Sequence, residues 1–123
     1  MQPHTRALIA ACAFAVIAGR KVAGIYDHTA GEHLRIAAEC RGDRVMAADG
    51  ERAVTFGGTL PQFYDAGDRA YVTMEVAGTT ASGFDHGSAG HYQADVTGPV
   101  IQLYDYTAAA WFAYTVQDVA ADT

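Results

Sequence analysis

Clustered cations, catalytic signatures and paired cysteines are what this sequence lacks. Eight Lys and Arg stand against fourteen Asp and Glu, a net charge of −6, and the cations form no run. No nucleic-acid partner is expected, because neutralising phosphates takes clustered positive charge. Cys12 and Cys40 are too few for a disulfide framework and form no Cys-x-x-Cys pair. There is no G-x-S-x-G elbow, no G-x-x-x-x-G-K loop and no H-E-x-x-H helix. Ser82 and Ser88 lie near Asp85, His86 and His91, but small polar residues in a glycine-rich hairpin give that combination by chance. No cofactor is expected. The apolar run Ala7 to Ala18 covers about 18 to 20 Å as a helix, short of the roughly 30 Å a membrane span needs.

What is present is core-forming material. Half the residues are hydrophobic and 18% are charged, which excludes disorder for most of the length and leaves one domain, residues 1–123. The N-terminal run predicts a buried helix over about residues 5–18, with Thr5 as cap and Gly19, Arg20 and Lys21 as its stop. Leu8, Ile9, Cys12, Phe14, Val16 and Ile17 are spread round the axis, so the helix must be covered on all sides, by a sheet that curls round it or by a second copy. Arg6, the apolar run and the pair Val16 and Ala18 also fit a secretory signal, which would mean export in place of the cytoplasmic location otherwise expected.

Beyond Lys21 the period becomes alternating, and one motif recurs. Tyr26, Asp27 and His28 are followed after four residues by His33; Phe84, Asp85 and His86 by His91; Tyr104, Asp105 and Tyr106 by Trp111. Each copy predicts a β-hairpin with a four-residue loop. Leaving four residues unpaired sets His28 opposite His33, His86 opposite His91 and Tyr106 opposite Trp111 on one face. Asp27 then opposes Leu34, Asp85 opposes Tyr92 and Asp105 opposes Phe112 on the other, apolar face. At a strand end each aspartate can accept backbone N–H bonds from its own loop. Asp65 after Tyr64 resembles the motif without a clean second arm.

Further strands are expected at Val45 to Ala47 and Arg52 to Phe56, round an Asp49-Gly50 turn of the two-residue kind. Gly57 to Arg69 is expected as a long irregular connection, Tyr71 to Val76 as one strand, and residues 118–123 as a frayed tail. The fold class is therefore α+β: one buried N-terminal helix followed by an eight- or nine-stranded antiparallel meander, over about residues 22–117, forming a curled sheet or barrel.

For function the sequence offers two readings. In the first the domain is a non-catalytic binding or assembly module. Its second sheet face, with Tyr64, Phe84, His86, His91, Tyr104, Tyr106 and Trp111, binds another copy as a homodimer or holds a small apolar or aromatic ligand. In the second it is a small metal protein or hydrolase, in which the pairs His28 with His33 and His86 with His91 supply imidazole ligands beside the loop aspartates. Simple turns throughout would put the Asp27 loop at the opposite end of the sheet from the Asp85 and Asp105 loops. Merging the two pairs would then need a crossover in the long connection, or a dimer. His4 is expected to be exposed.

Overall fold

The computed structural model describes residues 1–117; the expected frayed tail lies outside them. One helix, α1 (Pro3–Ala18), precedes the strands β1 (Val22–Asp27), β2 (Glu32–Arg41), β3 (Arg44–Asp49), β4 (Val54–Thr59), β5 (Gln62–Asp65), β6 (Ala70–Thr73), β7 (Glu75–Ala77), β8 (Thr80–Asp85), β9 (Gly90–Thr97), β10 (Val100–Asp105) and β11 (Ala110–Val116). All are antiparallel and follow one another round the sheet, β1 pairs β11, and β6 pairs β8. The meander thus closes into a ten-strand barrel. β6 and β7 are the two halves of the single strand expected over Tyr71 to Val76. Val72 pairs Asp85 and Glu75 pairs Ser82 in one continuous register, interrupted at buried Met74, whose N–H turns to the Pro61 carbonyl.

The helix is the core of the barrel. Thr5 and every residue from Ala7 to Ala15 are buried, which answers how a helix apolar on all sides is covered: its own sheet encloses it. Eight strands leave a lumen that side chains alone can fill, whereas ten leave a wider one. An alanine-rich helix suits that space, and the inward alanines Ala38, Ala47, Ala81 and Ala94 give it room. Gly19 stops it in the left-handed conformation expected, with φ 67° and its N–H on the Ala15 carbonyl. At the other end Gln2, not Thr5, is the cap residue, and Thr5 donates its hydroxyl to Asp68 instead. Outward strand positions carry Arg35, Glu39, Gln93, Asp95 and Gln102, unlike the apolar band a membrane-spanning barrel shows to lipid. Among the described residues no helix is long and apolar enough to cross a membrane.

The hairpin motif occurs five times, not three. Asp27, Asp49, Asp65, Asp85 and Asp105 each end a strand, are buried, and precede a four-residue loop. In four of them Oδ1 accepts the backbone N–H of the residues two and three further on; Asp85 accepts from Gly87 and from the Ser88 hydroxyl. The last loop residue is left-handed in all five, at Gly31, Ala53, Arg69, Ala89 and Ala109. Asp49-Gly50 therefore opens a four-residue loop and not a two-residue turn, with Asp49 pairing Val54.

The expected facing pairs are corrected by two residues. Tyr26 opposes His33, Phe84 opposes His91 and Tyr104 opposes Trp111, while Asp27 opposes Glu32, Asp85 opposes Gly90 and Asp105 opposes Ala110. The unpaired loop begins at the residue after the aspartate, because the carboxylate folds the chain there. A shift of two preserves the faces, so the acids point inward and the rings outward. The second correction concerns Gly57 to Arg69, which contains the end of β4 and all of β5. That extra strand changes the parity of the meander and brings all five aspartate loops to one rim, with no crossover.

Candidate functional site

The outward rings of four of these hairpins make clusters on the outside of this rim. Tyr26 meets His28 and His33 edge-on, with centroids 4.9 and 4.8 Å away. Phe84 meets His86 and His91 at 4.8 and 4.7 Å, and Tyr104 meets Tyr106 and Trp111 at 4.9 and 5.1 Å. Tyr64 and Tyr71 form a fourth cluster at 5.2 Å. The hairpin β3–β4 has Ala48 and Thr55 at the matching places and carries no ring. Around the barrel the four ring-bearing hairpins are consecutive. Tyr26 and Tyr71 were not among the residues expected here; Tyr71 stands six residues after its aspartate, as His33, His91 and Trp111 do after theirs.

Of the expected ring residues, the structure joins Phe84, His86 and His91 in one cluster and Tyr104, Tyr106 and Trp111 in the next, with Tyr64 on a third hairpin. The histidine pairs stay on separate hairpins, with β10 and β11 between them. Each pair shares an aromatic neighbour, and the first is engaged elsewhere: His28 Nε2 lies 2.6 Å from Thr115 Oγ1, and the Gln117 amide donates to His33 Nδ1 at 2.8 Å.

Charge is distributed unevenly over the outer wall. All eight Lys and Arg precede Ala70 in the chain. Across β8 to β11 and their connections the only charged residues are Asp85, Asp95 and Asp105, and two of these are buried. The outward face of those strands therefore presents rings, amides and hydroxyls with a single carboxylate. Trp111 and Tyr106 are each 54% exposed there.

Inside the rim the helix N-terminus is clasped from two sides. Arg6 donates to Asp105 Oδ2 at 3.3 Å and lays its guanidinium over the Phe112 ring at 3.7 Å, and the Met1 amino group lies 3.4 Å from the same carboxylate oxygen. Burial acts upward on Asp105, but hydrogen bonds from the Ala108 and Thr107 amides, with the cations, hold it below the ordinary carboxylate range. Opposite, Thr5 donates to Asp68 Oδ2 at 2.9 Å and His4 Nε2 lies 3.0 Å from Asp68 Oδ1. His4 is therefore half-buried in a built contact and not the exposed residue expected. Burial acts upward on Asp68 too, yet the His4 and Thr5 hydrogen bonds keep it low. Its neighbour Asp65 is pushed up by burial against the amides of Asp68 and Gly67, and its Oδ2 is buried without a hydrogen-bond partner among the described residues.

The opposite mouth, around the C-terminal end of the helix, holds a cavity of about 690 Å³ walled by Phe14, Ile17, Val96, Pro99 and Val116, with Arg20 and Lys21 also lining it. The class so defined is a closed ten-strand barrel built from five aspartate-capped hairpins round a central helix. Compared with protein-family models, curated proteins and solved structures, the chain matches none.

Proposed function

We propose that this domain is a non-catalytic assembly module that pairs with a second copy of itself through the outward face of β8 to β11. One observation carries the reading: in a chain of net charge −6, that face is depleted of charge and rich in exposed rings. Interface cores have this composition, and two acidic copies meet with least repulsion where the acids are turned inward. A two-fold pair would use the same patch on both copies. Burial of α1 by its own barrel removes the helix as a reason for pairing and leaves the outer wall as the surface that pairs. The same burial argues against cleavage after residue 18, which would empty the lumen.

Trp111 is the only tryptophan and stands on the proposed interface, so it reports directly. Sedimentation and Trp111 emission, followed from 1 to about 200 μM, are expected to show a dimer and a blue shift with one midpoint. Trp111→Glu and Tyr106→Lys should leave a folded monomer. A monomer throughout the range, with unchanged emission, would remove the proposal.

The cavity at the far mouth favours a second reading, a small apolar anion with its tail among Phe14, Ile17 and Val96 and its charge near Arg20 and Lys21. Its volume lies within the usual range for ligand pockets. Titration with dodecanoate should then saturate at one site per chain and weaken in Lys21→Ala. Absence of saturable binding would discard it.

A further inference from the structure

We infer that His4, Asp65 and Asp68 form a binding site for one divalent transition-metal ion that ties the helix N-terminus to the β5–β6 loop. One donor atom from each residue lies within 4.8 Å of the others. The cluster is more than a gathering of acids, because Asp65 is 1% exposed and its Oδ2 is a buried oxygen with no hydrogen-bond partner among the described residues. At Asp85 and Asp105, Oδ2 takes a hydrogen bond from Ser88 and from Arg6, respectively. At Asp65 nothing takes that place, and leaving a buried carboxylate oxygen unpaired is costly.

The surrounding bonds are those that orient ligands. The amides of Gly67 and Asp68 hold Asp65 through Oδ1, and the Thr5 hydroxyl holds Asp68 through Oδ2, so the other oxygen of each carboxylate is left for an ion. His4 Nε2 and Asp68 Oδ1 lie 3.0 Å apart, a hydrogen bond in which the imidazole N–H donates to the carboxylate. An ion would take the position of that hydrogen, with His4 carrying its proton on Nδ1. One imidazole nitrogen and two carboxylate oxygens suit zinc or manganese; an all-oxygen set would suit magnesium or calcium. Three protein ligands leave a coordination position for water. Arg52 Nη2, 3.7 Å from Asp68 Oδ1, is the competing cation.

The test is calorimetric titration of the full chain, stripped with a chelator, with Zn²⁺, Mn²⁺ and Mg²⁺ in turn. One Zn²⁺ or Mn²⁺ per chain is expected, with Mg²⁺ at least a hundredfold weaker, and the bound metal should raise the melting temperature. Asp65→Asn keeps the oxygen that caps the loop, and should weaken binding at least tenfold, as should His4→Gln; His28→Gln and His86→Gln should leave it unchanged. Arg52→Gln should tighten binding, since it removes the competing charge. If Asp65→Asn does not fold, His4→Gln decides. The proposal is overturned if no ion binds, if binding follows His28 or His86 instead, or if Arg52→Gln only destabilises the protein, which would make Arg52 the partner of Asp65.

Discussion

The phenol of Tyr92 donates a hydrogen bond to the main-chain carbonyl of Thr73 at 2.6 Å, reaching from β9 beneath β8 to the end of β6. This is where the barrel closes, and the β6–β8 seam has a single paired position, Val72 with Asp85. The Thr73 hydroxyl adds a bond from the Phe84 amide at 2.9 Å. Gly83 lets the strands approach: a side chain there would overlap the Thr73 carbonyl and come 2.9 Å from the Tyr92 hydroxyl.

Tyr92→Phe is accordingly expected to cost about 1–3 kcal/mol, the usual penalty for a buried carbonyl left unpaired. Urea denaturation measures it. Hydrogen exchange should show the loss first at the seam, with the Phe84 amide exchanging faster than amides of the β2–β3 pair. Uniform acceleration would mean that the bond stabilises the whole barrel and not its closure.

Because the lumen admits a helix only where side chains are small, enlarging one should be felt on every side. Ala11→Leu is expected to destabilise by about 1–3 kcal/mol through overpacking, while Leu8→Ala should cost about 2–5 kcal/mol through the cavity it leaves. Cys12 offers a second readout: burial pushes its thiol well up, so in the native protein a thiol reagent should label Cys40 alone. In Ala11→Leu, Cys12 should become labelled at a rate that tracks the lost stability.

Four loops hold a non-glycine residue in the left-handed conformation, Ala89 and Ala109 at φ 55° and 52° among them. For an L-residue that conformation costs roughly 1–2 kcal/mol, partly offset because glycine makes the unfolded chain more flexible. Ala89→Gly and Ala109→Gly should each raise stability by about 0.5 kcal/mol, and the two should add. A loss of stability on either change would show that the methyl packs against something worth more than the strain.

Acid should loosen the clasp on the helix. Asp105 is held below its ordinary value in the folded state, so it contributes stability above an unfolded carboxyl pKa of about 3.9, and the contribution is lost as pH falls through the folded value. Comparing urea midpoints of the wild type and Asp105→Asn from pH 7 to pH 3, the gap should be largest near neutrality and narrow below about pH 4. A constant gap would mean that shape, not charge, is what the site requires.

Much of this fold is legible residue by residue. Three aspartates flanked by rings announce three hairpins, because an aspartate at a strand end can bond the amides of the loop it opens. The two other copies are hidden for local reasons. Asp49 is followed by glycine and has alanine where a ring stands elsewhere, so it resembles a tighter turn. Asp65 ends a strand of four residues that nearby glycines and a proline disguise as a connection. The outer ring clusters could be anticipated from the motif, whereas the contact between His4 and Asp68 spans 64 positions and has no local mark.

Alternation alone determined which way Asp27, Asp85, Asp105 and their rings face, since side chains on a strand alternate with period two whatever surrounds them. The composition of Ala7 to Ala15 likewise determined that the helix must be hidden. Only the tertiary structure decided what hides it and where the five acid loops meet. Closure depends on the number of strands and the width of the lumen they leave, and one short strand, Gln62–Asp65, is enough to turn the later hairpins end for end.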